Sequence, residues 1–194
     1  MGSLPTAGTW AELEVPASMV GLGGKSVSGI GLFLYNGAAA WDEIGTGSTV
    51  WIDGAPPSSY IYRSASNVWA PASSDPAPVS GAVDFPRSYS SALQQDYFYD
   101  FDSDTALPVA AGDSLYVYVY LDPTHPPSEV RLGWLDSTGT WHDDAYWGPS
   151  GDWGVDVGPS QRPVSGSAWK CPLRQWASTG PPLWASPSSS TTAP

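Results

Sequence analysis

Cysteine is almost absent. The only one among 194 residues, Cys171, lies in the last segment of the chain. The strand-like part therefore has no disulfide and no thiol chemistry, which neither requires nor excludes secretion. Basic residues are also few, seven against nineteen acidic, for a net charge of −12. Such a surface repels phosphate backbones, so nucleic acid is not an expected partner. No stretch is long and apolar enough to span a membrane, so no membrane insertion is expected. Met1-Gly2-Ser3-Leu4-Pro5 has neither the basic start nor the apolar run of a signal peptide. No window carries a long stripe of period 3.6, and at most short helical turns are expected near Ala17 to Val20.

The signatures of catalysis are missing as well. His125 sits between prolines in a turn, and His142 has no metal-ligand spacing to it. There is no nucleophile elbow, and Gly21-Leu22-Gly23-Gly24 is a turn between strands rather than a phosphate loop. The chain is accordingly expected not to be an enzyme, with no catalytic residue, metal site or cofactor.

Aromatic residues are abundant, with eleven Trp and ten Tyr. That is more than a core of this size needs, so some rings should be exposed and in contact with a ligand. The rest of the pattern is strand. Leu115 to Leu121 alternates, with Leu115, Val117, Val119 and Leu121 on one face and three tyrosines on the other. Gln95 to Phe101, Glu129 to Leu135, Thr140 to Trp147, Trp10 to Val15, Ser28 to Tyr35 and Thr49 to Ile52 read as further strands. Short strands separated by Gly/Pro turns imply an all-β fold, an antiparallel β-sandwich or a barrel.

Residues 54–66, with Pro56-Pro57 and a serine-rich run, read as a connector between residues 1–53 and 67–167. Residues 168–194 are rich in Pro, Ser and Thr and are expected to be disordered. This tail also carries a coding echo of the chain's beginning. Shifting its codons by one base permits LEVPAAAVGID and VLYDGA, close to Leu13-Glu14-Val15-Pro16-Ala17 and Leu34-Tyr35-Asn36-Gly37-Ala38. Three shifted codons allow no choice: Trp169 into Lys170 gives Glu, matching Glu14, while Trp176 into Ala177 and Trp184 into Ala185 give Gly, matching Gly21 and Gly29. The chain thus reads as a slice of a tandem-repeat protein, ending in a frameshifted copy of its own start. The alternative is a natural Pro/Ser-rich tail with accidental matches.

Leu121-Asp122-Pro123-Thr124-His125-Pro126-Pro127, then Trp141 with Ala145-Tyr146-Trp147-Gly148, resembles a module of large bacterial surface proteins. So do Gly8-Thr9-Trp10, Leu13-Glu14-Val15-Pro16-Ala17 and Trp41-Asp42. Such modules occur in YD-repeat (Rhs-type) and planctomycete surface proteins and are similar to galactose-binding-like jelly rolls, the fold of many carbohydrate-binding modules. The likeness covers nearly all of residues 1–165. The resemblance implies that the LDPxxPP half precedes the LEVPAS half, whereas here the order is reversed. It also implies a Glu-His-Arg-like run where this chain has His142-Asp143-Asp144, anions in place of a cation. The two portions, 1–53 and 67–167, are expected to close into one circularly permuted jelly-roll sandwich through the connector. The runner-up is two open half-domains with bare sheet edges.

Candidate ligand-binding residues are Trp134, Trp141, Tyr146 and Trp147 as a stacking platform. Asp143 and Asp144 would accept hydrogen bonds from sugar hydroxyls. On a strand Trp141, Asp143 and Ala145 face one way and His142, Asp144 and Tyr146 the other, so roughly half of these aromatics should be packing residues. Trp41 and Asp42 could be a rim aromatic and carboxylate, or a packed ring and a turn-fixing acid. Asp100, Asp102 and Asp104 alternate like an oxygen-ligand run for structural Ca²⁺, but without the Gly and distal Glu of the full pattern. A solvated acidic loop is the plainer reading.

The expected function is a non-catalytic module that recognises a glycan or cell-surface polysaccharide, on the cell surface or outside the cell, with adjacent repeats as neighbours. The alternative is a structural spacer repeat with no ligand. A glycoside hydrolase ranks last, since Asp143 and Asp144 are sequence neighbours on opposite strand faces rather than a spaced carboxyl pair.

Overall fold

Alternation of apolar and polar residues builds the strand expected around Tyr118. Ser114–Leu121 turns Leu115, Val117, Val119 and Leu121 into the core and leaves Tyr118 and Tyr120 partly exposed on the other face. The computed structural model describes residues 2–47, 49–54, 61–64, 70–71, 76–100, 105–142, 145–149, 155–156 and 161–163. Side chains are described in all of these except 61–64, 70–71, 155–156 and 161–163. The elements among them are β1 Trp10–Pro16, a 3₁₀ turn Ala17–Val20, β2 Ser26–Thr46, β3 Thr49–Ile52, β4 Ile61–Ser64, β5 Ala70–Pro71 and β6 Val83–Tyr99. They continue with β7 Leu107–Pro108, β8 Ser114–Leu121, β9 Glu129–Asp136, β10 Ala145–Trp147, β11 Val155–Asp156 and β12 Gln161–Pro163. The fold is all-β and, apart from the short parallel pair β10/β11, antiparallel.

The main sheet runs β11-β10-β9-β2-β8-β1-β12. From β9 to β12 in this order, strands from residues 1–53 alternate with strands from the later portion. Glu12 of β1 stands opposite Tyr118 of β8, and Ile30 of β2 opposite Trp134 of β9. Both portions supply one apolar cluster, with Leu13, Val15 and Ile30 beside Val117, Leu132 and Trp147.

β2 organises the sheet. Its first half pairs β9 on one edge and β6 on the other; its second half exchanges β9 for β8. The register against β6 shifts between Tyr35 and Ala39, and against β8 between Asp42 and Ile44. The inward face of β2 changes parity across the bend at Asn36 and again across the bulge between Asp42 and Ile44. Ile30, Leu32 and Leu34 reach the core at even positions, Ala39 and Trp41 at odd ones, and Ile44 at an even one again. Asn36 has φ 53°, in the left-handed region. At this bend Gly37 lies so close to Pro127 that a Cβ would overlap its backbone. The last proline of the LDPxxPP run thus seats on a residue that has no side chain, and the sheet curls there.

Several boundaries differ from expectation. The strand foreseen from Thr140 to Trp147 shortens to Ala145–Trp147, because Asp136 binds the N–H groups of Thr138 and Thr140 and winds that stretch into a turn. The expected connector 54–66 contains β4, which pairs with β6 from Ile61 opposite Tyr99 to Ser64 opposite Asp96. β2 outruns its expected end at Tyr35 because partners on both edges stabilise the Gly37 to Ala40 stretch, which has little strand preference of its own. The short turn at Ala17–Val20 is as expected and closes on Gly21 in the left-handed conformation. Asn67 to Trp69, Asp102, Asp104 and residues 168–194 lie outside the described residues.

Candidate functional site

The first half of β2 reads Ser28-Gly29-Ile30-Gly31-Leu32-Phe33-Leu34-Tyr35. Alternate positions fill the core, so Gly29, Gly31, Phe33 and Tyr35 fall on the opposite face. Two glycines in succession there bring no side chains of their own, and neighbouring side chains pack down over both. A Cβ on Gly31 would meet the rings of Phe33 and Tyr97, and one on Gly29 would meet the Cβ atoms of Tyr99 and Leu135. Gly31 is flanked by Tyr97 on β6 and Gly133 on β9; Phe33 is flanked by Gln95 and Arg131; Tyr35 is flanked by Leu93 and Glu129.

Trp141 projects at the margin of this face. It bridges to Leu135, and its ring packs edge to face on Tyr97 at 5.4 Å between centroids. Tyr97 in turn packs edge to face on Phe33, also at 5.4 Å. Such ring pairs hold a side chain's orientation and contribute about 0.5–1.5 kcal/mol each. Trp141 is nevertheless 45% exposed, Tyr35 49% and Leu93 50%. Glu129 accepts from Arg131, so the charged pair on this face is internally neutralised.

The loop that carries Trp141 is tied to one buried carboxylate. Asp136 Oδ1 accepts from the Thr138 hydroxyl at 2.6 Å, the Thr138 N–H at 2.9 Å and the Thr140 N–H at 3.1 Å. Oδ2 faces His142 Nε2 at 2.7 Å and Lys25 Nζ at 3.3 Å. Burial pushes this acid's pKa up, but the hydrogen bonds from Thr138, His142 and Thr140 outweigh it and hold the carboxyl well below the usual range.

The anticipated platform is only partly assembled. Trp134 and Trp147 are 1% and 0% exposed and belong to the core, as does Trp41 at 0%. None of the three can offer a ring face to a ligand. The reason is parity: Trp134 and Trp147 share the inward face with Leu132 and Ala145, while Trp41 faces inward after the bend. Tyr146 lies on the outward face opposite Arg131 and is nearly covered, at 8%. Trp141 alone of the expected aromatics is exposed. Asp143 and Asp144 lie outside the described residues.

Asp42 is buried and fixes a loop, the plainer of its two expected roles. Its carboxylate accepts from the N–H groups of Glu43, Val79 and Ser80. Burial raises its pKa despite those bonds, and Asp84 is raised by burial and by the charge of Asp42. These two acids are enclosed, at 0% and 4% exposure. The described residues contain no group of three or more His, Cys, Asp or Glu side chains placed to hold a metal ion.

No protein-family model, curated protein or solved structure matches the chain.

Sequence reasoning missed Tyr97, Phe33, Tyr35 and Leu93 as parts of this face. The signal was present in the Gly29/Gly31 alternation. A strand with glycines at alternate positions has a bared face, and whatever neighbours it presents its rings to that gap.

Proposed function

We propose that the protein is a non-catalytic glycan-binding module and that Trp141 is its principal stacking residue. The observation that carries this reading is a half-exposed indole propped edge to face on Tyr97, with exposed Gln95 and the Arg131/Glu129 pair on the same face. Sugar rings offer apolar C–H faces to an aromatic ring and hydroxyls to neighbouring polar groups, and a recognition face needs both. A binding role fits these carboxylates better than hydrolysis does. Glu129 is engaged by Arg131, and the lowered pKa of Asp136 is the reverse of what a general acid requires. The LDPxxPP and AYWG runs add likeness to galactose-binding-like repeats of bacterial surface proteins, which suits a permuted module displayed at the cell surface between copies of itself.

The test is affinity electrophoresis and a glycan array with the wild type and Trp141→Ala. We expect binding that drops about tenfold or more in the variant, the loss typical of a truncated aromatic anchor. Its fold should survive, with about 0.5–1.5 kcal/mol lost from one ring contact. A well-folded wild type that retains no glycan would refute this reading and favour the ligand-free spacer.

A further inference from the structure

The exposed rings are not confined to Trp141. Along β2 the outward positions run from Gly29 beside Leu135, the bridge partner of Trp141, through Gly31 and Phe33 to Tyr35. Six residues at about 3.3 Å each make this roughly 20 Å. Trp141 stands at one end, half exposed. Tyr97 and Phe33 link it by successive edge-to-face contacts to the middle. Tyr35 and Leu93, paired across β2 and β6, form the other end and are equally exposed. Between them Gly31, paired with Gly133, carries no side chain, and the rings of Phe33 and Tyr97 pack down over it and form the middle of the face. A terminal sugar fits a closed pocket and would be served by Trp141 alone. A track of this length has work only for a chain. Its charges cancel at Glu129 and Arg131, and a protein of net charge −12 repels a polyanion.

The geometry points to an extended, uncharged polysaccharide as the ligand, lying along β2 across the outer face of β9, β2 and β6, with Trp141 and Tyr35 holding its two ends. This rests on the glycan-binding reading above and specifies its substrate class. It assigns Tyr35 and Leu93 as a distal subsite, which a module binding a single sugar at Trp141 does not need.

The experiment uses the full chain, with neutral β-glucan, galactan and mannan polymers, the disaccharide and hexasaccharide of whichever binds, and polygalacturonate as the acidic control. Calorimetry should show the hexasaccharide binding at least about tenfold more tightly than the disaccharide, since only it spans both ends. Tyr35→Ala should cost about tenfold on the hexasaccharide and nothing on a disaccharide held at Trp141, while Trp141→Ala weakens both. Leu93→Ser provides a second, independent probe of the distal end. Both distal side chains are half exposed, and unchanged thermal melting would show that the variants fold. Equal affinity for disaccharide and hexasaccharide, or full hexasaccharide binding by Tyr35→Ala and Leu93→Ser, would overturn the extended track and leave a Trp141-centred glycan site standing. Binding of polygalacturonate alone would overturn the uncharged class. Failure of every glycan to bind would remove both the track and the reading beneath it.

Discussion

His142 Nε2 lies 2.7 Å from Asp136 Oδ2, and Lys25 Nζ lies 3.3 Å from each of those two atoms. An ionised carboxylate has no proton to give, so the imidazole nitrogen must carry one, and Lys25 can then donate only to Asp136. One buried acid therefore organises the turn beneath Trp141 and anchors β2's start through Lys25. Asp136→Ala should lose several charge-assisted hydrogen bonds together, about 2–3 kcal/mol. Urea denaturation would measure this, and a loss below half a kcal/mol would show that the turn holds without its carboxylate.

The same residue sets a pH dependence. Its folded pKa is lowered, so its contribution is fully present above the ordinary unfolded carboxylate value and is lost only as pH falls through the lowered folded one. Wild type minus Asp136→Asn stability should thus be constant from pH 7 to about pH 5 and shrink in strong acid. A difference that grew on acidification would contradict the assignment.

Asp84 behaves in the opposite sense. Burial and the neighbouring Asp42 raise its pKa, so the folded protein holds this charge at a cost near neutral pH. Protonation relieves that cost as pH falls through the raised folded value. Asp84→Asn should melt above wild type at pH 7, with the advantage vanishing toward pH 4. Equal melting temperatures at pH 7 would mean that Asp84 is already relieved by its surroundings.

The antiparallel all-β class, the small turn at Ala17–Val20 and strands β1, β3, β8 and β9 could be read from the sequence, because alternation and turn residues are local. The inner or outer assignment of the tryptophans could not. Trp41 is separated from Leu34 by the bend at Asn36, across which the inward face passes from even to odd positions, and one such uncounted irregularity reverses the face of everything after it. Trp147 met a similar difficulty on β10, where the turn wound by Asp136 interrupts the alternation assumed to run from Thr140. The face proposed to bind was legible only as an absence, the alternating glycines of β2. The neighbour that fills it, Tyr97, comes from a strand more than sixty residues away in sequence.

The bend of β2 gives a sharper test of how that curl is specified. Gly37 abuts the backbone of Pro127, and its carbonyl accepts from Gln94 Nε2 at 2.9 Å. Backbone cannot move aside as a flexible side-chain tip can. Gly37→Ala should cost about 2–3 kcal/mol, the range of overpacking at a rigid contact. Pro127→Gly would leave that contact unfilled without relieving it wholly, since the approaching atoms include the Pro127 main chain. The double variant should therefore recover only part of the loss, and complete rescue in thermal melts would shift the cause to the pyrrolidine ring.

Arg87 and Asp96 form an ion pair inside the fold, with Nε and Oδ2 2.9 Å apart and side chains 3% and 2% exposed. Both lie on β6, at positions that flank the bend of β2, Arg87 opposite Ala39 and Asp96 opposite Leu32. Removing one member of such a pair strands the other charge away from water, whereas replacing both by apolar side chains removes the desolvation cost together with the attraction. Arg87→Met should therefore destabilise by about 3–5 kcal/mol, and Arg87→Met with Asp96→Leu should recover most of that. Chemical denaturation of the two variants decides between this account and a purely steric one. If the double variant proved less stable than the single, the pair would be valued for its packing and its further hydrogen bonds rather than for mutual neutralisation.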